Sequence, residues 1–184
     1  FIELFKSKID EYDELVTDNN IFQNRMKGVG YLSKEDAISY GMTRPPARGS
    51  AVQCDIRKLF PYEVYNKVQF EEIIETDGDS FARYMVRMKE MRQSLSIVEQ
   101  LIDNIPEGDF QAKTKAVLKL PKGEFYSRVE TARGEFGVYI VSEGGTTPYR
   151  IKFRSPGFSN LSALDHMARG SKIGDLVAMM GTLD

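Results

Sequence analysis

Residues 125–153 read FYSRVETARGEFGVYIVSEGGTTPYRIKF, and this stretch decides the fold. Its residues 125–131, 136–142 and 149–153 read as three extended segments, rich in Val, Ile, Tyr and Phe. Gly144 and Gly145 sit where the second connection must reverse. Connections this short join antiparallel strands, because parallel neighbours need a crossover of a dozen or more residues. Gly134, Gly137, Gly144 and Gly145 read as turn formers between strands, since a phosphate cradle needs a strand followed by a helix N-terminus.

Upstream, Phe81, Tyr84, Met85, Met88, Met91, Leu95, Val98, Leu101, Ile102 and Ile105 recur at threes and fours. That spacing predicts a long central helix over residues 80–105, with Pro106 and Gly108 ending it. Arg92 and Glu99 border its apolar stripe. Ile2, Phe5, Ile9, Tyr12, Leu15 and Val16 predict a helix over 2–16, closed by Asp18, Asn19 and Asn20. Ser33 with Asp36 resembles a capping box and opens a helix over 34–40. Pro45, Pro46 and Gly49 argue for irregular backbone over 43–50, and residues 68–73 read as a short extended piece. Two terminal helices, 160–169 and 172–180, follow the sheet. The expectation is one α+β unit, mainly helical with a long central helix and a small antiparallel sheet. It is helical over 1–110, with the sheet at about 115–154 and terminal helices at about 158–184.

A chain of 184 residues, 41% hydrophobic and 28% charged, is long enough to bury its own core. With 25 Lys and Arg against 27 Asp and Glu, the net charge of −2 gives no electrostatic case for nucleic acid. The single Cys54 excludes an internal disulfide and a multi-thiolate metal site within these residues. Apolar runs such as residues 136–141, with Gly137 inside it, are far too short to span a bilayer. The first residues lack the order of a signal peptide, and with no initiating Met the sequence reads as a piece of a longer protein.

Catalytic signals are sparse. His166, the only histidine, has no partner at a diagnostic spacing and reads as a helix-surface residue. Cys54 reads as a buried small hydrophobe rather than a reactive thiol. Met85, Met88 and Met91 form a stripe that either lines an apolar pocket or, as the favoured reading, packs the core. Arg83, Arg87 and Arg92 are anion-ligand candidates, with surface pairing to Glu90 and Glu99 preferred.

Longer blocks carry more. Residues 133–145 read RGEFGVYIVSEGG, 148–161 read PYRIKFRSPGFSNL, and 174–184 read GDLVAMMGTLD. With them stand NRMKGVG at 24–30, SKEDA at 33–37, DIRK at 55–58 and RYMVRM at 83–88. These blocks, in this order, resemble the C-terminal portion of the D subunit of respiratory complex I, a relative of the nickel–iron hydrogenase large subunit. The loop TRPPARGSA at 43–51 departs from the family, which reads closer to Thr-Gly-Pro-x-Leu-Arg-Ala-Ser-Gly, and Cys54 stands where an aromatic is common.

The resemblance implies a hydrogenase large-subunit-like fold and a place in a proton-translocating NADH–quinone oxidoreductase. This subunit would help form the cavity where electrons pass from a partner-held 4Fe–4S cluster to quinone. It would bind no cofactor itself, NADH being held elsewhere in the complex. Its partners would be other complex I subunits, above all the one carrying that cluster, and it would sit peripherally on the cytoplasmic face of the inner membrane. Arg133 and Asp184 are the implied quinone-pocket residues, with no metal ligand and no catalytic residue in these residues alone. Two alternatives stay open: the same family served by ferredoxin or a deazaflavin donor, and a docking domain with no redox role.

Overall fold

The computed structural model describes residues 1–114 and 117–183, so the first residues of the expected sheet region and the candidate Asp184 lie outside the described residues. The central helix α6 spans Ser80–Ile102. Asp79 caps it, one carboxylate oxygen accepting from Ala82 N–H at 2.8 Å while the other accepts from Gly28 N–H at 2.7 Å. The cap therefore fixes the helix start to a distant loop as well as satisfying an orphan donor. The helix stops three residues short of the expected Ile105, before Pro106.

Helix α1, Ile2–Tyr12, runs into a π-helical turn, Asp13–Thr17. Its Ile9 meets Met88 and Leu95 of α6, with Phe5 and Met91 alongside. Burial of each large apolar side chain contributes about 1.5–3 kcal/mol, which pins α1 along α6. Arg92 of α6 reaches Asp10 and Asp13, and Lys6 pairs with Glu99. The two charges beside the stripe thus pair with α1, not with each other. Asn19 ends that segment and also starts α2, Asn20–Met26, its side chain accepting from Ile21 and Phe22 N–H. A cap residue opens a helix as readily as loop chemistry closes one, which is why α2 escapes the sequence pattern.

Helix α3, Lys34–Ser39, begins on Ser33 as expected, the hydroxyl accepting from Asp36 N–H. Residues 43–50 differ from the expectation. They include a four-residue helix α4, Pro45–Arg48, followed by α5, Ile56–Leu59. Proline suits the first helical position because its missing N–H would be unsatisfied anyway. Residues 68–73 form no strand.

Strands β1 (Gly123–Thr131), β2 (Gly134–Ser142) and β3 (Arg150–Arg154) make an antiparallel sheet in the order β1-β2-β3. Tyr126 faces Tyr139, which faces Lys152. Gly144, at φ +94, turns the chain as the sequence suggests. Gly137 does not, being in mid-strand, where an added Cβ would lie 2.6 Å from the Tyr126 hydroxyl. The terminal helices are α7, Pro156–Ser162, α8, Leu164–Ala168, and α9, Ile173–Leu183. Pro156 starts α7 four residues before the expected helix over 160–169, and that helix is broken at Ala163 into α7 and α8. Met167, Met179 and Leu183 meet Leu32, Met42 and Ala47 in the main core. The whole is the α+β, mainly helical architecture the sequence predicts. Among the described residues no helix is long and apolar enough to cross a membrane.

Candidate functional site

The loop carrying α4 is drawn inward by charge. Arg48 is fully buried, and its guanidinium meets Glu90 of α6, Glu130 of β1 at 2.7 Å, Asp55 at 3.4 Å and Glu72 at 3.4 Å. Arg44 adds contacts at 3.1 Å to Glu90 and 3.5 Å to Glu130. Arg57 grips Asp55 in a fork of 2.9 and 2.7 Å. Glu72 also accepts from the Cys54 and Asp55 N–H groups. A buried charge is tolerated only when paired, and here three arginines and four carboxylates pair with one another, leaving the Arg44 and Arg48 Nε atoms buried without a hydrogen bond.

The titration of these groups follows. Burial works against the Arg48 charge, yet Glu90, Glu130 and Asp55 hold its pKa above the ordinary value. Burial would raise Asp55, but the Arg57 hydrogen bonds and the Arg48 charge prevail and hold it below the usual carboxylate range. Glu130 is pushed up by burial, with Arg48 opposing. Burial pushes the Cys54 thiol up to about 11, in keeping with a quiet, partly buried hydrophobe.

Arg44 has φ +57 and Ala51 has φ +61, the left-handed region that side chains disfavour. Both stand where the resembling family reads glycine. Strain of this kind costs on the order of 1–3 kcal/mol and persists where the surroundings impose it. At Arg44 the imposing contacts are Glu90, Glu130 and the Thr131 carbonyl, which accepts from the guanidinium at 2.7 Å. Gly134 follows in the hairpin at φ +133, where an added Cβ would fall 2.2 Å from the Thr43 hydroxyl. Glu135 N–H donates to that hydroxyl, and Asn160 bridges Thr43 N–H to the Arg133 carbonyl. The β1–β2 turn is thereby fastened onto the α4 loop.

Beside this junction runs a groove of about 420 Å³. Arg44, Arg87, Glu90 and Ala132 line it, and Met91, Leu95, Val98 and Phe5 continue it along α6. From Arg87 to Val98 the helix rises about 16 Å at 1.5 Å per residue. The groove is amphipathic along its length, with a charged end and an apolar run. Arg87 also donates to the main-chain carbonyl of Thr182 at 2.8 Å, so the end of α9 is tied to the charged end.

Of the residues the sequence singled out, Arg133 is exposed in the β1–β2 turn, next to the groove-lining Ala132. Asp184 lies outside the described residues, two positions beyond Thr182. Arg83 is no surface ion-pairing residue. It is fully buried and donates to the Gly78 and Gly30 carbonyls and to the Ser80 and Thr182 hydroxyls. Burial lowers its pKa to about 10, leaving it charged at neutral pH. Glu90 is likewise buried with Arg48, not on the surface. Of the methionine stripe, Met88 is core and Met91 lines the groove. His166 is half-exposed, 3.4 Å from Asp36 and beside the Tyr40 ring. Arg48, Asp55, Glu72, Glu90 and Glu130 went unread as a cluster, because they are spread over five separate segments. Among the described residues no group of three or more His, Cys, Asp or Glu is placed to hold a metal ion.

Fold and groove together describe a helical scaffold with a small sheet that presents an amphipathic cleft. The family "Respiratory-chain NADH dehydrogenase, 49 Kd subunit" matches residues 1–119 and 113–184, and the chain belongs to it. It is 54% identical over 184 residues to the C/D subunit of the NADH-quinone oxidoreductase of Bacteroides fragilis, covering all of this chain and 35% of that one. It is 48% identical over 184 residues to the second D subunit of the NADH-quinone oxidoreductase of Solibacter usitatus, covering all of this chain and 50% of that one. Against the H subunit of the NAD(P)H-quinone oxidoreductase of a Synechococcus strain it is 42% identical over 208 residues, covering all of this chain and 53% of that one. The chain spans between about a third and about half the length of these relatives.

Proposed function

We propose that this chain is part of the quinone-side subunit of an NADH–quinone oxidoreductase, and that the charged end of the α6 groove borders the quinone headgroup. A quinone has two carbonyl oxygens that accept hydrogen bonds and an apolar tail. The groove offers matching chemistry, with the guanidinium groups of Arg44 and Arg87 at one end and Met91, Leu95 and Val98 beyond. A 4Fe–4S cluster on a partner subunit would supply the electrons. This chain's part is to orient the headgroup, exclude water and bring protons to the reduced oxygens. Arg133 and Asp184 are the residues we assign to positioning the headgroup and transferring a proton. The protein would act peripherally, against other complex I subunits on the cytoplasmic face.

One observation carries this reading. Arg87 lines the groove and holds Thr182, while Ala132 lines the same groove beside Arg133, so the described end of α9 and the β1–β2 turn both meet its charged end. The test is complementation of a deletion strain with the full gene carrying Arg133→Ala or Asp184→Asn. Normal assembly with quinone reduction lowered about tenfold or more supports the pocket, in line with removing a cation that positions the headgroup (Arg133) or a carboxyl that transfers a proton (Asp184). Undiminished quinone reduction in both variants leaves the chain a docking scaffold.

A further inference from the structure

Strand β3 is exposed along Arg150, Ile151, Lys152 and Phe153, and only Arg154 is half-buried. It is an edge strand, and among the described residues no strand pairs with its outer side. The opposite edge differs, since Glu130 N–H of β1 donates to the Tyr62 hydroxyl. Side chains alternate across a strand, so Arg150, Lys152 and Arg154 share one face. Through the register, Lys152 stands beside Tyr139 and Tyr126, and Arg154 beside Gly137 and Arg128. Tyr126, Tyr139, Arg150, Lys152 and Arg154 surround a depression of about 510 Å³ over Gly137. Ile151 and Phe153 share the other face with Ile140, Val138 and Phe125.

We propose that the outer edge of β3 receives an extended segment of another protein, with carboxylates at alternate positions and apolar residues between them. Cations on one strand recur about every 6.8 Å, twice the residue rise, which is also the spacing of alternate side chains on an added strand. Carboxylates at those positions meet Arg150 and Lys152, the intervening apolar residues meet Ile151 and Phe153, and Arg154 closes the row, its guanidinium held by the Glu135 and Gly41 carbonyls at 2.6 and 2.8 Å. Main-chain hydrogen bonds to the unpaired edge supply affinity, and the two rows set register. A bilayer fits less well, because cationic and apolar residues lie on opposite faces of one thin sheet and a membrane surface meets only one. Nucleic acid fits less well too. Glu124 and Glu135 share the basic face, engaged by Tyr139 and by Tyr126 with Arg128, so phosphates would meet two carboxylates there. This proposal is independent of the quinone reading.

The test is photo-cross-linking in the full-length protein within its native assembly, with Tyr149 replaced by p-benzoylphenylalanine. Mass spectrometry is expected to find the adduct on another polypeptide, in a segment with acidic residues at alternate positions. Combining Arg150→Glu with Lys152→Glu should lower the adduct yield about tenfold, as reversed charge patterns do at interfaces. Should that protein fail to accumulate, Arg150→Gln with Lys152→Gln is expected to lower the yield about threefold. Adducts only on lipid, nucleic acid, a second copy of this chain or the rest of the same polypeptide overturn the proposal, as do no adducts at all or a yield that charge changes leave untouched. Self-association of the neutralised variant with an undiminished adduct would overturn it as well, marking the charges as mere protection of an open edge.

Discussion

Replacing Arg48 by methionine removes the hub of the buried charge network while keeping an unbranched apolar chain. Three arginines and four carboxylates become two against four. Asp55 keeps its fork from Arg57, and Glu90 keeps Arg44 at 3.1 Å. Glu130 loses its 2.7 Å partner and retains Arg44 and the Ile56 N–H, both at 3.5 Å, with its side chain 2% exposed. Deleting one partner of a buried pair costs about 3–5 kcal/mol, because the other charge stays desolvated. For a domain of this size that corresponds to a fall in melting temperature of roughly 6–20 °C. The loss should also depend on pH with a defined sign. Burial raises the Glu130 pKa in the folded chain, so folded protein binds the extra proton and stability falls as pH rises through that window. Without Arg48 that window moves up, so the variant's deficit is larger at pH 8 than at pH 5. Asp55 behaves oppositely. Its depressed pKa gives stability that is present above the unfolded value and lost as pH falls through the folded one, so the comparison stays above about pH 4. Urea unfolding at the two pH values, with the Arg48→Met/Glu130→Gln double variant, closes the cycle. A deficit under about 1 kcal/mol, equal at both pH values and not reduced in the double variant, would refute the reasoning.

Two further outcomes follow from the same loop. Ala51→Gly relieves a left-handed backbone at φ +61, and is expected to leave stability unchanged or raise it by up to about 1 kcal/mol in urea unfolding, whereas glycine in ordinary backbone costs that much. Alkylation of Cys54 by iodoacetamide at pH 8 should run about a hundredfold slower than for a free thiol, because a pKa of about 11 leaves little thiolate; a rate within about fivefold of the free thiol contradicts the burial argument.

Much of the architecture was legible because long regular patterns survive context. The nine stripe residues within α6, from Phe81 to Ile102, and the alternating strands around Gly144 declared their elements within a few residues. Helices α2, α4 and α5 did not, since four to seven residues carry too little periodicity and their caps resemble loop chemistry. The charge network failed to show for a different reason. Spacing along α6 tells which side carries the apolar stripe, but not that the α4 loop and α9 cover its other sides. Arg83 and Glu90 therefore looked exposed. One signal was present for Arg83, namely Gly30 and Gly49, where an added Cβ would lie 3.0 and 2.9 Å from its side chain. Without the fold, nothing connects those glycines to that arginine. The departures at Arg44 and Ala51 are the converse case, where comparison with the family's glycines marks the left-handed backbone found in the structure.

The central claim is that the charged end of the α6 groove borders the quinone. Its most direct measurement is photolabelling of the intact membrane-bound complex with a short-chain azidoquinone, followed by peptide mapping. The account predicts label on residues 81–98 and 131–135, displaced by excess unlabelled quinone. Displaceable label confined to other segments of the complex, with none on this groove, would contradict it.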